Sequence, residues 1–401
     1  MTADVVASSR AAGRSARRII LVANTDWYLF NFRLSLARAI RDLGWEAILV
    51  SPGGRYTRRL TEAGFRWLPL SLDRRGVFPL AELKTLFGLR SIYRRLRPDL
   101  VHHHTLKPVL YGTLAARWAG VPGIVNSVTG LGFVFLSSRP GARLLRPLVG
   151  EGLCRTLNQD GVYGIFENAG DRESLLARGL APADRHTLIE GVGVDLERFT
   201  ASAEPKGEPV VLMASRMLWD KGVGDFVEAS RRLRQEGHQA RFALVGAPDP
   251  GNPSSISTLQ IRRWAQSGVV EWWGHSDDMP HVLGQCHIVV LPSRGEGVPT
   301  VLLEAAASGR PVVASDIAGC REVLRPGETG LLVPPGNPLA LAQAIASLLG
   351  SPDERARMGR LGRDFMKARF DQVEINRRTI MVYQRVLQTA EATPAPRPAD
   401  P

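Results

Sequence analysis

Short apolar runs alternate with longer amphipathic stretches from one end of the chain to the other. That alternation predicts parallel strands joined by helices. In the first half, Arg18–Ala23, Glu46–Ser51, Phe65–Leu70, Leu100–His104, Gly123–Val128, Val162–Glu167 and Thr187–Gly191 read as strands. Between them, Phe32, Leu36, Ala39, Ile40 and Leu43 recur at helical spacing, and Leu114–Ala119 forms a second, shorter helix signal. A polar stretch with Pro and Gly, Thr200–Pro209, interrupts the pattern and reads as an interdomain linker. The alternation then restarts with Val210–Ala214, Phe242–Gly246, Val269–Trp273, Ile288–Pro292, Pro311–Ser315 and Gly330–Val333. Two consecutive parallel α/β domains follow, 18–199 and 210–370, with a linker at 200–209. A terminal helix is expected over 371–387, and disorder over 1–17 and 388–401. Ligands of such sheets bind beyond the carboxyl ends of the strands, so the informative residues should lie just after each run.

The chain has 401 residues, of which 44% are hydrophobic and 22% charged, a balance that excludes wholesale disorder and fibrous repeats. No stretch is long and apolar enough for a transmembrane helix, and Met1–Arg18 lacks the apolar core of a secretory signal. Cys154, Cys286 and Cys320 are scattered without metal or redox spacing, which fits a reduced, cytoplasmic protein with free thiols. The formal charge is +12 and is uneven. Residues 1–200 carry 28 basic against 17 acidic side chains, a net of +11, which leaves +1 for the remainder. Only five basic residues are Lys, a bias that codon usage can explain. Codon usage does not explain the asymmetry, so a basic face toward phosphorylated substrates, anionic lipid or nucleic acid is expected in the first half.

The most specific stretch runs from Leu291 to Ala305, Leu-Pro-Ser-Arg-Gly-Glu-Gly-Val-Pro-Thr-Val-Leu-Leu-Glu-Ala. A buried strand ends, a glycine-rich turn follows, and Pro299 with Thr300 opens a helix, with Thr300 able to cap its amides. A helix N-terminus flanked by small residues favours a phosphate. Glu296 in the turn and Glu304 in the helix are badly placed for phosphate but suited to accept hydrogen bonds from ribose or sugar hydroxyls. Phosphate on the amides and hydroxyls on the glutamates describe a nucleotide-sugar. The chain here resembles the retaining glycosyltransferases of family 4, whose E-x7-E signature corresponds to Glu296 and Glu304. The continuations Gly309-Arg-Pro-Val-Val-Ala-Ser-Asp316 and Gly327-Glu-Thr-Gly-Leu-Leu-Val-Pro334 match that family as well.

The resemblance implies an α/β GT-B fold, with two Rossmann-like parallel-sheet domains facing a central cleft. It implies that Glu296 meets the donor sugar and Glu304 the ribose, with Gly297, Val298, Thr300 and Val301 completing that wall. Arg216 and Lys221, five apart after the Val210–Ala214 strand, inherit the role of holding the donor diphosphate, as paired cations can. Gly246 after the next strand and His275 after Val269–Trp273 resemble the turns that meet the nucleotide.

In the first half, Leu100–His104 ends in His102-His103-His104. Adjacent strand residues alternate faces, so three consecutive histidines cannot converge on one metal ion. By the resemblance, His104 lies near the reacting sugar, while His102 reads as a packed core residue. Asn24–Arg33, His104-Thr-Leu-Lys-Pro108 and Asn126–Phe133 resemble a subgroup that builds bacterial surface polysaccharides on polyprenyl-diphosphate lipids. Asn31, Arg33, Lys107 and Thr129 are then acceptor-pocket candidates. Arg139, Arg143 and Arg146 fall at i, i+4 and i+7, a spacing suited to anionic lipid or equally to packing on the sheet, with Pro140 and Pro147 expected to limit any helix to short pieces.

The expected activity is retaining transfer of a hexosyl or N-acetylhexosaminyl group from a nucleotide-diphosphate sugar, UDP-linked by analogy, to a polyprenyl-diphosphate-linked glycan. Its place would be the cytoplasm or the inner face of the cytoplasmic membrane. Arg216, Lys221, Glu296 and His104 would carry catalysis without a bound cofactor or metal. A nucleotide-sugar epimerase or hydrolase of related fold is the alternative. A nucleic-acid partner is not expected, since no recognition-helix, zinc or aromatic-basic motif occurs.

Overall fold

The computed structural model describes residues 16–73, 78–128, 140–179, 181, 182 and 184–392, with the backbone alone for 140–146 and 148. The chain divides into two units, Met1–Val192 with Glu374–Pro401, and Gly193–Val373. The first unit holds a seven-stranded parallel sheet of order β3-β2-β1-β4-β5-β6-β7. Its strands are β1 (Arg18–Val22), β2 (Glu46–Ser51), β3 (Arg66–Pro69), β4 (Leu100–His104), β5 (Gly123–Val128), β6 (Val162–Phe166) and β7 (His186–Leu188). The second unit holds a six-stranded parallel sheet of order β10-β9-β8-β11-β12-β13. Its strands are β8 (Val210–Ala214), β9 (Arg241–Val245), β10 (Glu271–Gly274), β11 (Ile288–Leu291), β12 (Val312–Ser315) and β13 (Gly330–Val333). Each sheet is a doubly wound Rossmann-like sheet whose order reverses beside its first strand. The expected α/β class with two such sheets is what the chain adopts.

The central strands are buried along their whole length in both units, as parallel sheets covered by helices on both faces require. In the first unit, Ile19, Leu21, Leu49, Val125 and Ile165 pack with Leu36 and Ile40 of the helix Leu34–Asp42 on one face. Ile20, Val22, Ile48 and Val101 pack with Leu89, Ile92 and Tyr93 on the other. The helix Gln372–Ala392 adds Ile375, Tyr383 and Leu387 to the first of these cores. In the second unit, Leu212, Val289 and Ala314 face Leu302, Leu303 and Ala306, while Val211, Val290 and Val313 face Phe226, Leu341 and Ile345.

Several local expectations change. The helix signal at Phe32–Leu43 begins as a π-helical turn, Leu29–Arg33, and becomes α-helical only from Leu34 to Asp42. The helix Pro140–Leu157 runs through Pro147 rather than breaking into short pieces. Pro140 occupies the first turn, where no N–H is needed, and the remaining turns carry the single bond that Pro147 forfeits. The terminal helix continues past Leu387 to Ala392. Residues 1–15 and 393–401, expected to be disordered, lie outside the described residues. The stretch 200–209 is irregular but held on the second unit. Fully buried Arg310 donates to the Ser202 carbonyl (3.0 Å), the Ser202 hydroxyl (2.7 Å) and the Ala203 carbonyl (3.1 Å). Arg355 pairs with Glu204 through two bonds of 2.8 and 2.9 Å. Among the described residues no helix is long and apolar enough to cross a membrane.

Candidate functional site

The second unit places its chemistry where the strand order reverses, between β8 and β11. After β8 the chain makes a 3-10 turn at Trp219–Lys221 and then enters the helix Val223–Gln235 through Gly222. Gly222 has φ +77°, and a Cβ there would lie 2.0 Å from the Pro292 carbonyl oxygen. Only glycine lets the two loops approach so closely. The Arg294 amide then donates to the Asp220 carbonyl at 2.9 Å, and the Ser293 hydroxyl donates to the same oxygen at 3.3 Å. These bonds lock the turn after β8 onto the turn after β11.

The result is the contact between Lys221 and Glu296. The ammonium Nζ donates to both carboxylate oxygens at 2.6 Å, with both side chains largely buried. Gly319 of the helix Ala318–Val323 backs this turn, since a Cβ there would meet the carbonyl oxygens of Gly297 at 2.0 Å and Glu296 at 2.5 Å. The helix Thr300–Ala307 follows. Pro299 is its N-cap residue and no side chain caps it, so Thr300 does not act as the cap. Leu302 and Leu303 donate to the Pro299 carbonyl, and the first amides, at Thr300 and Val301, head the helix dipole where an anion would be favoured. Val298 and Val301 turn their side chains toward the core, so any contact they offer a ligand is through backbone. One turn on, Glu304 is partly buried, and burial pushes its carboxyl up to about 7, with Arg198 partly opposing the shift.

Arg216 turns onto Asp249, with Nη1 2.8 Å from Oδ2 and half of the side chain exposed. Gly246, φ +138°, sits where a Cβ would strike the Ser215 carbonyl oxygen at 1.8 Å, so the β8 and β9 turns also touch through glycine. Its carbonyl accepts from the Trp272 indole at 2.9 Å. His275 lies just past β10, exposed and 3.0 Å from Asp277. Sequence reasoning missed Gly222, Gly319, Asp249 and Arg198. The glycines were legible only as turn residues, and nothing in sequence links Asp249 or Arg198 to the site.

In the first unit the histidine triplet divides between faces as strand geometry requires. His102 and His104 share one face with ring centroids 3.9 Å apart. His103 faces the other way, with Nε2 2.9 Å from the Tyr93 hydroxyl and Nδ1 2.8 Å from the Asn126 carbonyl oxygen. His102 is a packed core residue, 2.5 Å from the Tyr383 hydroxyl and 2.8 Å from the Ser127 hydroxyl. His104 is equally buried, but neither ring nitrogen has a hydrogen-bond partner, and burial, then His102 and Arg33, hold its pKa well below the usual range. The following residue, Thr105, is β-branched yet adopts φ +71°, and its buried hydroxyl is also unpartnered. Backbone strain and orphaned polar atoms thus coincide at the end of β4.

The loop after β1, Ala23–Thr25, contains no glycine, and the buried carboxylate of Asp26 organises it. Asp26 accepts from the amides of Trp27 (2.8 Å), Tyr56 (2.8 Å) and Thr57 (2.9 Å), tying it to the loop after β2. Arg33, expected in an acceptor pocket, is 5% exposed, with its guanidinium paired to buried Glu167 and 2.8 Å from the Tyr28 hydroxyl. Asn31 is exposed and donates to the Trp27 carbonyl at 2.9 Å. Lys107 pairs with Glu82 and donates to the Asp73 carbonyl at 2.7 Å. Thr129 and the side chains of Arg139, Arg143 and Arg146 lie outside the described residues. Among the described residues no cluster of three His, Cys, Asp or Glu could hold a metal ion.

Comparison with known proteins follows the same division. The family described as "Glycosyl transferase 4-like" matches residues 18–157, and "Glycosyl transferases group 1" matches residues 208–351. The chain is 30% identical over 385 residues to N,N'-diacetylbacillosaminyl-diphospho-undecaprenol alpha-1,3-N-acetylgalactosaminyltransferase of Campylobacter jejuni, covering 92% of this chain and 99% of that one. It is 26% identical to UDP-Gal:alpha-D-GlcNAc-diphosphoundecaprenol alpha-1,3-galactosyltransferase of Escherichia coli, covering 65% and 68%. Among solved structures it superposes on Anabaena HepE, crystallised with UDP and glucose, with TM-score 0.75 and 21% identity over 91% of this chain and 99% of that one. Sucrose-phosphate synthase of Thermosynechococcus elongatus gives TM-score 0.77 at 22% identity, over 93% and 100%.

Proposed function

Because the chain belongs to the family 4 glycosyltransferases of the GT-B fold, we propose that it moves a hexosyl or N-acetylhexosaminyl group from a UDP-sugar to a polyprenyl-diphosphate-linked glycan, with retention of configuration. The observation that carries this reading is the Lys221–Glu296 contact at the reversal point of the second sheet, beside an uncapped helix N-terminus. Donor diphosphate would lie against the amides of Thr300 and Val301, with Lys221 and Arg216 neutralising its charge as it departs. Glu296 would accept from sugar hydroxyls and Glu304 from the ribose. The first unit would receive the acceptor, with His104 and Thr105 offering their unpartnered polar atoms.

In this reading the acceptor hydroxyl oxygen forms its bond to the anomeric carbon on the face from which the diphosphate leaves. The bond to the leaving oxygen breaks, and a departing phosphate oxygen takes the hydroxyl proton. The chain contributes position and electrostatics rather than a covalent intermediate. The Campylobacter and Escherichia relatives, both named as acting on undecaprenyl-diphosphate-linked sugars, support the acceptor class, and the latter supports a UDP donor. Work at the inner face of the cytoplasmic membrane follows from such an acceptor.

The test is incubation of the purified protein with a panel of UDP- and GDP-sugars and polyprenyl-diphosphate-linked acceptors, read by mass spectrometry. A lipid-linked gain of one sugar, α-configured by NMR when the donor is an α-linked UDP-sugar, is the expected outcome. Free or epimerised sugar formed from donor alone would replace this reading with a hydrolase or epimerase.

A further inference from the structure

The helix Pro79–Leu96 of the first unit buries Leu86, Leu89, Ile92, Tyr93 and Leu96 against its sheet. The N-terminal half of its opposite face is largely apolar. Leu80, Leu83 and Phe87 stand one turn apart along that face and are 82%, 46% and 53% exposed. Trp118, at the end of the neighbouring helix Thr113–Ala119, is 48% exposed and meets Phe87 with ring centroids 6.4 Å apart. Single exposed apolar side chains are ordinary, but four in a row on one surface are not.

The C-terminal half of the same face is basic. Arg90, Arg94 and Arg95 line a shallow hollow together with Phe87 and Ser91. No Asp or Glu is among the exposed residues of either helix, since Glu82 is turned inward to Lys107. An apolar stripe continuous with a patch of arginines is the pattern of a surface that lies in the headgroup–acyl boundary of an anionic bilayer.

We propose that this face docks the first unit on a membrane rich in anionic phospholipid. Leu80, Leu83, Phe87 and Trp118 enter the acyl boundary, and Arg90, Arg94 and Arg95 meet lipid phosphates in and around the hollow. Charge selects this occupant over a second copy of the chain. A two-fold interface through the same patch would bring the arginine clusters toward one another with no exposed acidic residue on either helix to answer them.

The experiment is sedimentation of the whole protein with vesicles of phosphatidylcholine alone or mixed with phosphatidylglycerol. Wild type should sediment with the mixed vesicles and only weakly with phosphatidylcholine, and salt should release it. Arg94→Glu/Arg95→Glu should cut partitioning onto mixed vesicles by about tenfold or more, since each cation near such a surface is worth roughly fivefold. Leu80→Ser/Phe87→Ser should reduce partitioning as well. Both pairs are exposed, and unchanged circular dichroism would show that the variants still fold. Wild type that stays in the supernatant, or a Leu80→Ser/Phe87→Ser protein that sediments like wild type, overturns the proposal. So does a wild-type dimer in light scattering that Leu80→Ser/Phe87→Ser converts to monomer. The readout uses no donor or acceptor, so it stands or falls apart from the proposed reaction.

Discussion

Lys221 and Glu296, 75 positions apart in sequence, meet through two hydrogen bonds of 2.6 Å from one ammonium to both oxygens of one carboxylate. The pair exists because Gly222 lets the Pro292 carbonyl approach and because the Asp220 carbonyl receives the Arg294 amide and the Ser293 hydroxyl. Each partner restrains the side chain of the other.

Lys221→Ala and Glu296→Gln should therefore each lower kcat/KM at least about tenfold, the scale expected for loss of a charged contact of ~1.5–3 kcal/mol. The double variant should lose less than the product of the two single losses, since the two groups act on one another. Steady-state kinetics with a UDP-sugar donor checks both; near-normal turnover in either single variant would remove these residues from the donor site.

Glu304 is raised to about 7 by burial, so it ionises near neutrality. The proposed role of Glu304 as a hydroxyl acceptor predicts an acid limb in kcat/KM centred near that pH, and Glu304→Gln should abolish the limb while lowering activity. The sign for stability is opposite. A carboxyl whose folded pKa lies above its unfolded value of ~4.3 contributes stability below that value and loses it as pH rises toward 7. Glu304→Gln should thus raise Tm relative to wild type at pH 8 and change it little at pH 4, in paired thermal melts.

Gly246→Ala and Gly222→Ala should both destabilise the second unit. Their φ values of +138° and +77° disfavour a side chain, and the added Cβ would collide with backbone carbonyls rather than with movable side chains. A loss on the order of 2 kcal/mol or more is expected from strain and overpacking, measured by urea unfolding. An unchanged midpoint would mean that the turns can separate without cost.

The buried Arg33–Glu167 pair makes a sharper prediction in the first unit. Arg33→Met or Glu167→Leu alone leaves one buried charge without its partner and should cost about 3–5 kcal/mol. The double substitution should cost clearly less than either single change. A double variant as unstable as the sum of the singles would show that the two side chains do not act as a pair.

The strands and both sheets were legible because a parallel strand buried on two faces is a short apolar run, a signal that survives in one dimension. The Leu291–Ala305 segment was legible for a related reason: strand, turn and helix N-terminus are consecutive, so their chemistry is local. Pro147 misled because its cost to a helix is a single bond, which the remaining turns of Pro140–Leu157 outweigh. The π-helical start at Leu29–Arg33 left no trace in the hydrophobic spacing.

What the sequence by itself determined was the alternation of elements and the residues that follow each strand. Tertiary structure alone decided which of those residues are committed to one another. It gave Lys221 to Glu296, Arg216 to Asp249 and Arg33 to Glu167, and it left the ring nitrogens of His104 and the hydroxyl of Thr105 buried without hydrogen-bond partners. The physical reason is range. Apolar periodicity is a property of neighbours in the chain, whereas a salt bridge between residues 75 or 134 positions apart depends on strand order, on glycine-sized gaps between loops, and on what burial does to a charge.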